Sequence, residues 1–374
     1  MLYFGTPPQA LKVNFETRSG WVFLFDASCV RDDYNEARSF HSTKSSTFES
    51  TDEVYELDGD GAVALAYDSA SLGYAEGRVL RQTILLITED RDYWSFNGDG
   101  VVVSTRQGLA ASSLSDGHET MLDNLKSQNV IDRKVFAFFL SQEDDFMAPM
   151  PSVSFGSWDL AAYALTDFTY LPVDSELGDW TVPITGFRVG STPVYSIGSA
   201  SLDPNDYDIY LPSYAYRSFR RTICSLVTCD TSSYSIEFEC DNNEIELLPD
   251  LVFELNGVEF SLSTKFYVKN WGWGDPCQMN VQESYYGQYD LGIPFMQAYY
   301  TLFDAETNRI GLARSVNYPY LPTYAAAATE EQDEGSTVVL AASVVACALI
   351  LWGAYRRRKT VQSELTRPLL GNSA

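Results

Sequence analysis

The chain has 374 residues, 45% of them hydrophobic. That is enough for a sizeable core in two or three domain-sized units, and it is incompatible with a disordered polymer or a small stapled scaffold. A formal charge of −26 argues against nucleic acid as a partner, because phosphate binding needs Lys and Arg to replace released counterions. The same charge suits an acidic compartment, where protonation relieves self-repulsion, and it equally suits ordinary solubility.

Aromatic residues make up 14% of the chain, with 24 Tyr and 21 Phe, a mix that favours strands over helices. The turn signals "GTPPQ", "LDGDG", "FNGDG", "LDPND" and "ELNGVEF" bracket short apolar or alternating runs such as "VFAFFL" and "FTYLPV". That rhythm predicts an all-β, sheet-rich fold. Near the start, "VNFETRSGWVFLF" reads as a strand, a polar turn at Glu16, Thr17, Arg18 and Ser19, and a second apolar strand. "ETMLDNLKSQNVI" sets Met121, Leu122, Leu125 and Val130 near helical spacing and predicts a short helix over 119–131. "SASLDPNDYDIYL", from Ser199 to Leu211, echoes the first strand and its acidic turn, and "PSYAYRSFRRTIC" after it predicts a second helix. Glu16 and Asp203 lie 187 residues apart, so two duplicated lobes would each bring one acid to a shared cleft.

After Tyr318 the composition shifts to Pro, Ala and acids without apolar period, the mark of a short stalk over 321–336. "TVVLAASVVACALILWGAY", Thr337 to Tyr355, carries no charge and has the length of a bilayer core. Glu330, Glu331, Asp333 and Glu334 precede it, and Arg356, Arg357, Arg358 and Lys359 follow. The positive-inside rule then puts the tail, 356–374, in the cytosol and the body in a lumen or outside the cell. A lumenal body implies a signal peptide. None is visible after Met1, so a longer natural N-terminus with a signal and a propeptide is expected.

Other chemistries find little support. His41 and His118 are the two histidines and stand in polar contexts, which disfavours Ser/His and Cys/His mechanisms. The six cysteines show no zinc spacing. "DPNDYD" offers Asp203, Asp206 and Asp208 but lacks the glycine and distal glutamate of a calcium loop, and is expected to be a solvated acidic turn. No metal or cofactor is expected.

From Tyr3 to Tyr318 the sequence resembles the pepsin-like aspartic peptidases. "FGTPPQALKVNFETRSGWVFLFDASC" looks like that family's opening with its first Asp-Thr-Gly-Ser loop, and "STKSSTF" resembles the segment behind it. "MLDNLKSQNVIDRKVFAFFLS" is similar to the helix and strand that close the first lobe. "YDLGIPFMQAYYTLFDAETNRIGLA" is similar to the family's closing strand pair. The resemblance implies a bilobal fold with an interlobe cleft, its lobes at 1–165 and 166–320. It also implies a Cys240–Cys277 disulfide around "LLPDLVFELNGVEFSLS". In an oxidising lumen Cys224 would pair with Cys229, leaving Cys29 single.

In such peptidases two aspartates, one per lobe, share a proton across the nucleophilic water, and like charges that close cannot both ionise. Carried over by position, the dyad is Glu16 and Asp203, and Thr17 and Ser19 keep the family's residue types. Glu16 has an extra methylene; Arg18 adds a side chain and a cation where glycine lets the backbone turn, and is expected to favour an ionised Glu16. Pro204 removes the second loop's hydroxyl, which would hydrogen-bond across to the other lobe, and Asn205 stands for glycine. Val103 in "DGVVVST" occupies a further glycine position, whereas Gly292 is kept. In the flap "YELDGDGAV", Asp58 replaces the covering tyrosine, with Tyr55 nearby.

The leading expectation is a membrane-anchored homologue with an impaired or inactive centre, whose cleft receives an extended peptide or a protein partner. The alternatives are an active acid endopeptidase using Glu16 and Asp203, and a surface structural protein.

Overall fold

The computed structural model describes residues 1–28, 39–57, 61–74, 77–90, 100–103, 118–141, 149–173, 180–194, 197–230, 235–240, 242–270 and 275–318. Among these the fold is mostly β. The N-terminal strands form an eight-stranded sheet that contains the hairpin Glu49–Leu57 with Gly61–Ser71 and the long strand Arg78–Asp90. Strands between Thr181 and Leu291 form a second eight-stranded sheet. A five-stranded antiparallel sheet joins the two halves of the chain. Its order is Ser152–Phe155, Val135–Phe139, Tyr299–Asp304, Arg309–Arg314, Thr169–Pro172. Residues 1–319 make one compact unit.

The echo seen in the sequence reappears in the pairing. Val13–Glu16 runs parallel to Gly100–Val103, which pairs antiparallel with Val22–Phe25. Gly198–Leu202 likewise runs parallel to Tyr289–Leu291, which pairs antiparallel with Ile209–Leu211. Each half therefore sends two strands along opposite sides of a third, and the acid stands where the first of the two ends, Glu16 as its last residue and Asp203 just after it. Register opposes Glu16 to Val103 and Leu202 to Leu291. One more step sets Asp203 beside Gly292, so Val103 and Gly292 hold equivalent places.

The first helix is shorter than the apolar spacing suggested. It spans Met121–Ser127 behind a Thr120/Asp123 capping box, and Asn129 with φ 58° turns the chain before Val130. The second, Ser213–Ile223, buries Ala215, Tyr216, Phe219 and Ile223 along one face. Both expected disulfides are present, Cys224–Cys229 and Cys240–Cys277, with Cα separations of 5.3 and 4.8 Å. No helix among the described residues is long and apolar enough to cross a membrane. The expected stalk, span and tail, together with Cys29 and Asp58, lie outside the described residues.

In the joining sheet Phe136 stacks on Phe303 at 4.6 Å and meets Trp180 edge-on at 5.7 Å, all three rings buried. These rings lock strands from both halves of the chain together. Phe136→Ala is expected to cost about 3–5 kcal/mol, through lost burial plus an unfilled cavity, as read from the urea midpoint. A loss below about 1 kcal/mol would mean that this junction contributes little to the fold.

Candidate active site

Val13–Glu16 is held from behind by Phe15, which packs on Phe138 and Phe155 at 5.6 and 6.2 Å. The chain then turns through Thr17 to Gly20 and returns on buried Trp21 and Val22. Thr17 is buried, and its Oγ1 donates 2.6 Å to the carbonyl of Leu202, the residue before Asp203. This is a hydroxyl bond across to the second loop, as the resemblance implied. Pro204 has no hydroxyl with which to return it. The Ser19 Oγ accepts from the Trp21 amide at 3.4 Å. Tyr55 lies opposite Val63 in the hairpin, packs beside the Trp21 cluster, and donates to Glu53 at 2.7 Å.

The second loop is pinned from below. Asp203 is 2% exposed, and its carboxyl accepts the Asn205 amide at 2.9 Å and the Thr17 amide. The carbonyl of Asp206 accepts the Ile293 amide at 2.7 Å. A Cβ on Gly292 would stand 2.3 Å from that carbonyl and 2.4 Å from the carbonyl of Asp208. Only glycine permits so close an approach.

Arg18 reaches across from the first loop into the second. Its Nε lies 3.4 Å from Asp203 Oδ2, while Nη2 pairs with Asp206 Oδ2 and lies 3.2 Å from Asp290 Oδ1. Asp290 is buried, and the same oxygen accepts Ser201 Oγ at 2.5 Å and Gln288 Nε2 at 3.1 Å. The "DPNDYD" turn is therefore not the solvated acidic turn expected: Asp203 and Asp206 face a guanidinium. Among the described residues no group of three or more His, Cys, Asp or Glu is placed to hold a metal ion.

Burial sets the electrostatics. It lifts the Glu16 carboxyl from its ordinary 4.5 to about 7, Asp203 adding to the rise and Arg18 opposing it. Arg18 favours the ionised Glu16, as expected, but desolvation outweighs the cation. Burial also raises Asp203 against the pull of Arg18 and two backbone amides, and raises Asp206 to about 7 against the same cation. Asp208 rises to about 6 through burial, with Lys269 opposing. Burial would lower Arg18, but Asp206, Asp290, Asp203 and Glu16 hold it above its ordinary value, so it remains a cation.

Sequence reasoning brought Glu16, Thr17, Arg18, Asp203, Pro204 and Asn205 to one place, but it missed the part played by Asp206 and missed Asp290 altogether. The signal was present. Asp290 is a lone acid in the strand Tyr289–Leu291, all of it buried, directly before Gly292, and a buried carboxylate needs a partner.

The two-lobed β fold, the paired loops carrying one acid each and the close backbone approach at Gly292 define an aspartic protease-like protein. The sequence model of the eukaryotic aspartyl protease family matches residues 1–315, and the chain belongs to that family. Similar curated proteins include pepsin B of Canis lupus familiaris, 27% identical over 334 residues, with 83% of this chain and 79% of that protein covered. Pepsin A of Sus scrofa is 29% identical over 328 residues, with the same coverage. Pregnancy-associated glycoprotein 1 of Bos taurus is 27% identical over 331 residues, covering 83% of this chain and 80% of that protein.

A carboxyl raised on folding favours the folded state while it is protonated, and that advantage is lost as pH climbs towards the folded value. Glu16, Asp206 and Asp208 therefore make the body less stable between about pH 4 and pH 7 as pH rises. Asp123 and Asp304 act oppositely. Burial would raise them, but Lys134 and Thr120 at Asp123, and Thr307 and Arg309 at Asp304, hold both below 3.8, so their contribution fails only in stronger acid. The melting temperature should peak near pH 4–5 and fall towards pH 8, with a shallower fall in Glu16→Gln. A melting temperature that climbs steadily from pH 5 to pH 8 would contradict these assignments.

Proposed function

We propose that this protein is a proteolytically impaired or silent member of its family, whose interlobe cleft binds an extended peptide or a protein partner. The observation that carries the reading is the Arg18 guanidinium on Asp203, Asp206 and Asp290. A dyad that shares one proton over a water needs two carboxyls free to face that water. Here the second-lobe acid faces a cation, with Arg18 Nε 3.4 Å from Asp203 Oδ2, and the first-lobe acid is a glutamate whose reach differs by about one bond, where misplacement by about 1 Å can cost roughly 10²-fold. In this reading Glu16 and Asp203 hold the dyad positions, Thr17, Arg18, Ser19, Pro204 and Asn205 shape the loops, and Asp58 and Tyr55 belong to the flap. The lobes are taken as 1–165 and 166–320.

A second reading has its own support. Burial raises both Glu16 and Asp203, and two neighbouring carboxyls that hold protons above their ordinary range are what an acid peptidase uses. The unequal pair Glu16/Asp203 would then cleave peptides at acidic pH.

We also propose that residues 337–355 anchor the chain, with the stalk 321–336 on the lumenal or external side and 356–374 in the cytosol. The charge-free run and the Arg356–Lys359 cluster behind it support this. Two disulfides in the body fit an oxidising compartment.

The first test is cleavage of a mixed peptide library across roughly pH 3 to 7, comparing the native chain with Glu16→Gln and Asp203→Asn. The proposal expects no turnover by the folded protein and a gain of activity when Glu16→Asp, Arg18→Gly and Pro204→Thr are combined. Cleavage by the native chain that disappears in both single variants would establish the second reading instead. For the anchor, the full chain should stay in the membrane pellet through alkaline carbonate washing, and a chain stopped after Ser336 should be released. Release of both would remove the anchor.

A further inference from the structure

The link between the two loops is uneven. Thr17 gives its hydroxyl to the Leu202 carbonyl at 2.6 Å, but Pro204, which follows Asp203 as Thr17 follows Glu16, can return nothing. The Asp203 carboxyl also accepts the Thr17 amide, so both of these bonds converge on Thr17 and resist tilting of the loops less than two separated points would. Beside them, Arg18 makes three contacts with the second lobe, and its anchors are stiff. Asp206 is tied through its backbone to Ile293, and Gly292 packs against the carbonyls of Asp206 and Asp208. Asp290 lies two residues before Gly292 and is oriented by Ser201 and Gln288. Asp206 and Asp290 thus belong to one rigid piece and present two oxygens to the same guanidinium nitrogen, while Asp203 faces Nε.

We infer that Arg18, Asp206 and Asp290 form a clamp that ties the first-lobe loop to the second lobe and takes over the levelling role of the hydroxyl that Pro204 removes. Asp206 and Asp290 are positioning residues in this scheme. They act on the loops through the guanidinium, whose planar fork can serve several oxygens in fixed geometry where a lysine ammonium serves as a point charge. The clamp goes beyond the cleft function proposed above. It sets the relative placement of the two loops with or without turnover, so it is tested without any peptide.

The experiment is amide hydrogen exchange on the full chain, followed by mass spectrometry. In Arg18→Met, exchange should rise about tenfold or more in both loops, 16–22 and 202–208, while the outer strands of both lobes exchange as before; a charge-assisted bond is worth about that much. Asp206→Asn and Asp290→Asn should each act on the same two loops. Adding Pro204→Thr with Asn205→Gly to Arg18→Met should return the loops towards native exchange, because it restores the missing hydroxyl. A merely structural arginine would not be rescued from the opposite loop. Unchanged exchange in Arg18→Met overturns the clamp, as does an increase spread evenly over both lobes or a failure of the Pro204→Thr rescue. If Arg18→Met does not fold, Asp290→Asn carries the comparison, since it leaves the guanidinium its Asp206 partner: faster exchange confined to the two loops supports the clamp, and native exchange refutes it.

Discussion

A single guanidinium, reaching from the first loop to three carboxyls of the second lobe, is the contact on which the rest of the centre depends. A half-buried cation facing buried acids is stable only as a set: remove one member and an uncompensated charge remains, at a cost of roughly 3–5 kcal/mol for a well-buried pair and less where water still reaches it. Arg18 and the acids Asp203, Asp206 and Asp290 therefore explain one another. A cation at position 18 without Asp290 would find a weaker seat. Asp290 without the cation would be a desolvated carboxyl between Tyr289 and Leu291, with Ser201 and Gln288 as its remaining donors.

This coupling bears on chemistry as well as architecture. Desolvation pushes Glu16, Asp203 and Asp206 upwards, and Arg18 pulls all three down. The centre is thus a balance between burial and one cation, whereas a symmetric dyad balances burial against mutual repulsion. In the symmetric case the shared proton lies between the two acids, where the water must be. Here the cation sits against the second-lobe acid, so the field at the water position is lopsided. That lopsidedness is the ground on which binding is proposed over turnover, and the raised carboxyls are the reason an acid peptidase remains the competing reading.

Much of this was legible in the sequence, for reasons that differ by level. The paired strands around Glu16 and Asp203 could be read because apolar runs broken by an acidic turn recur at half-chain spacing, and the same parallel-then-antiparallel pairing follows from both copies. The helix at Met121 was overextended, since Val130 fits helical spacing yet is reached through Asn129 at positive φ, a local turn that periodicity does not see. Arg18 was recognised as an intruder, but its direction was not. Sequence adjacency suggested that it would act on Glu16, whereas its side chain crosses to partners 185, 188 and 272 residues away. No pattern within one strand reports such a contact. Asp290 was passed over for the same reason, its meaning being supplied by a residue of the other lobe.

The two halves also differ at equivalent places. In the second lobe the loop lies so close to Gly292 that a side chain there would meet two carbonyls at under 2.5 Å, a contact that no side-chain rotation relieves because both obstacles are backbone. Its anchor acids are consequently fixed in place. The equivalent position in the first lobe is Val103, paired in register with Glu16, where the resemblance implied a glycine, as it implied an aspartate at position 16 and a glycine at position 18. Proteins transmit shifts through rigid parts and absorb them in loosened ones. Here the second lobe supplies the rigid seat, and the first lobe supplies the long side chain that reaches it.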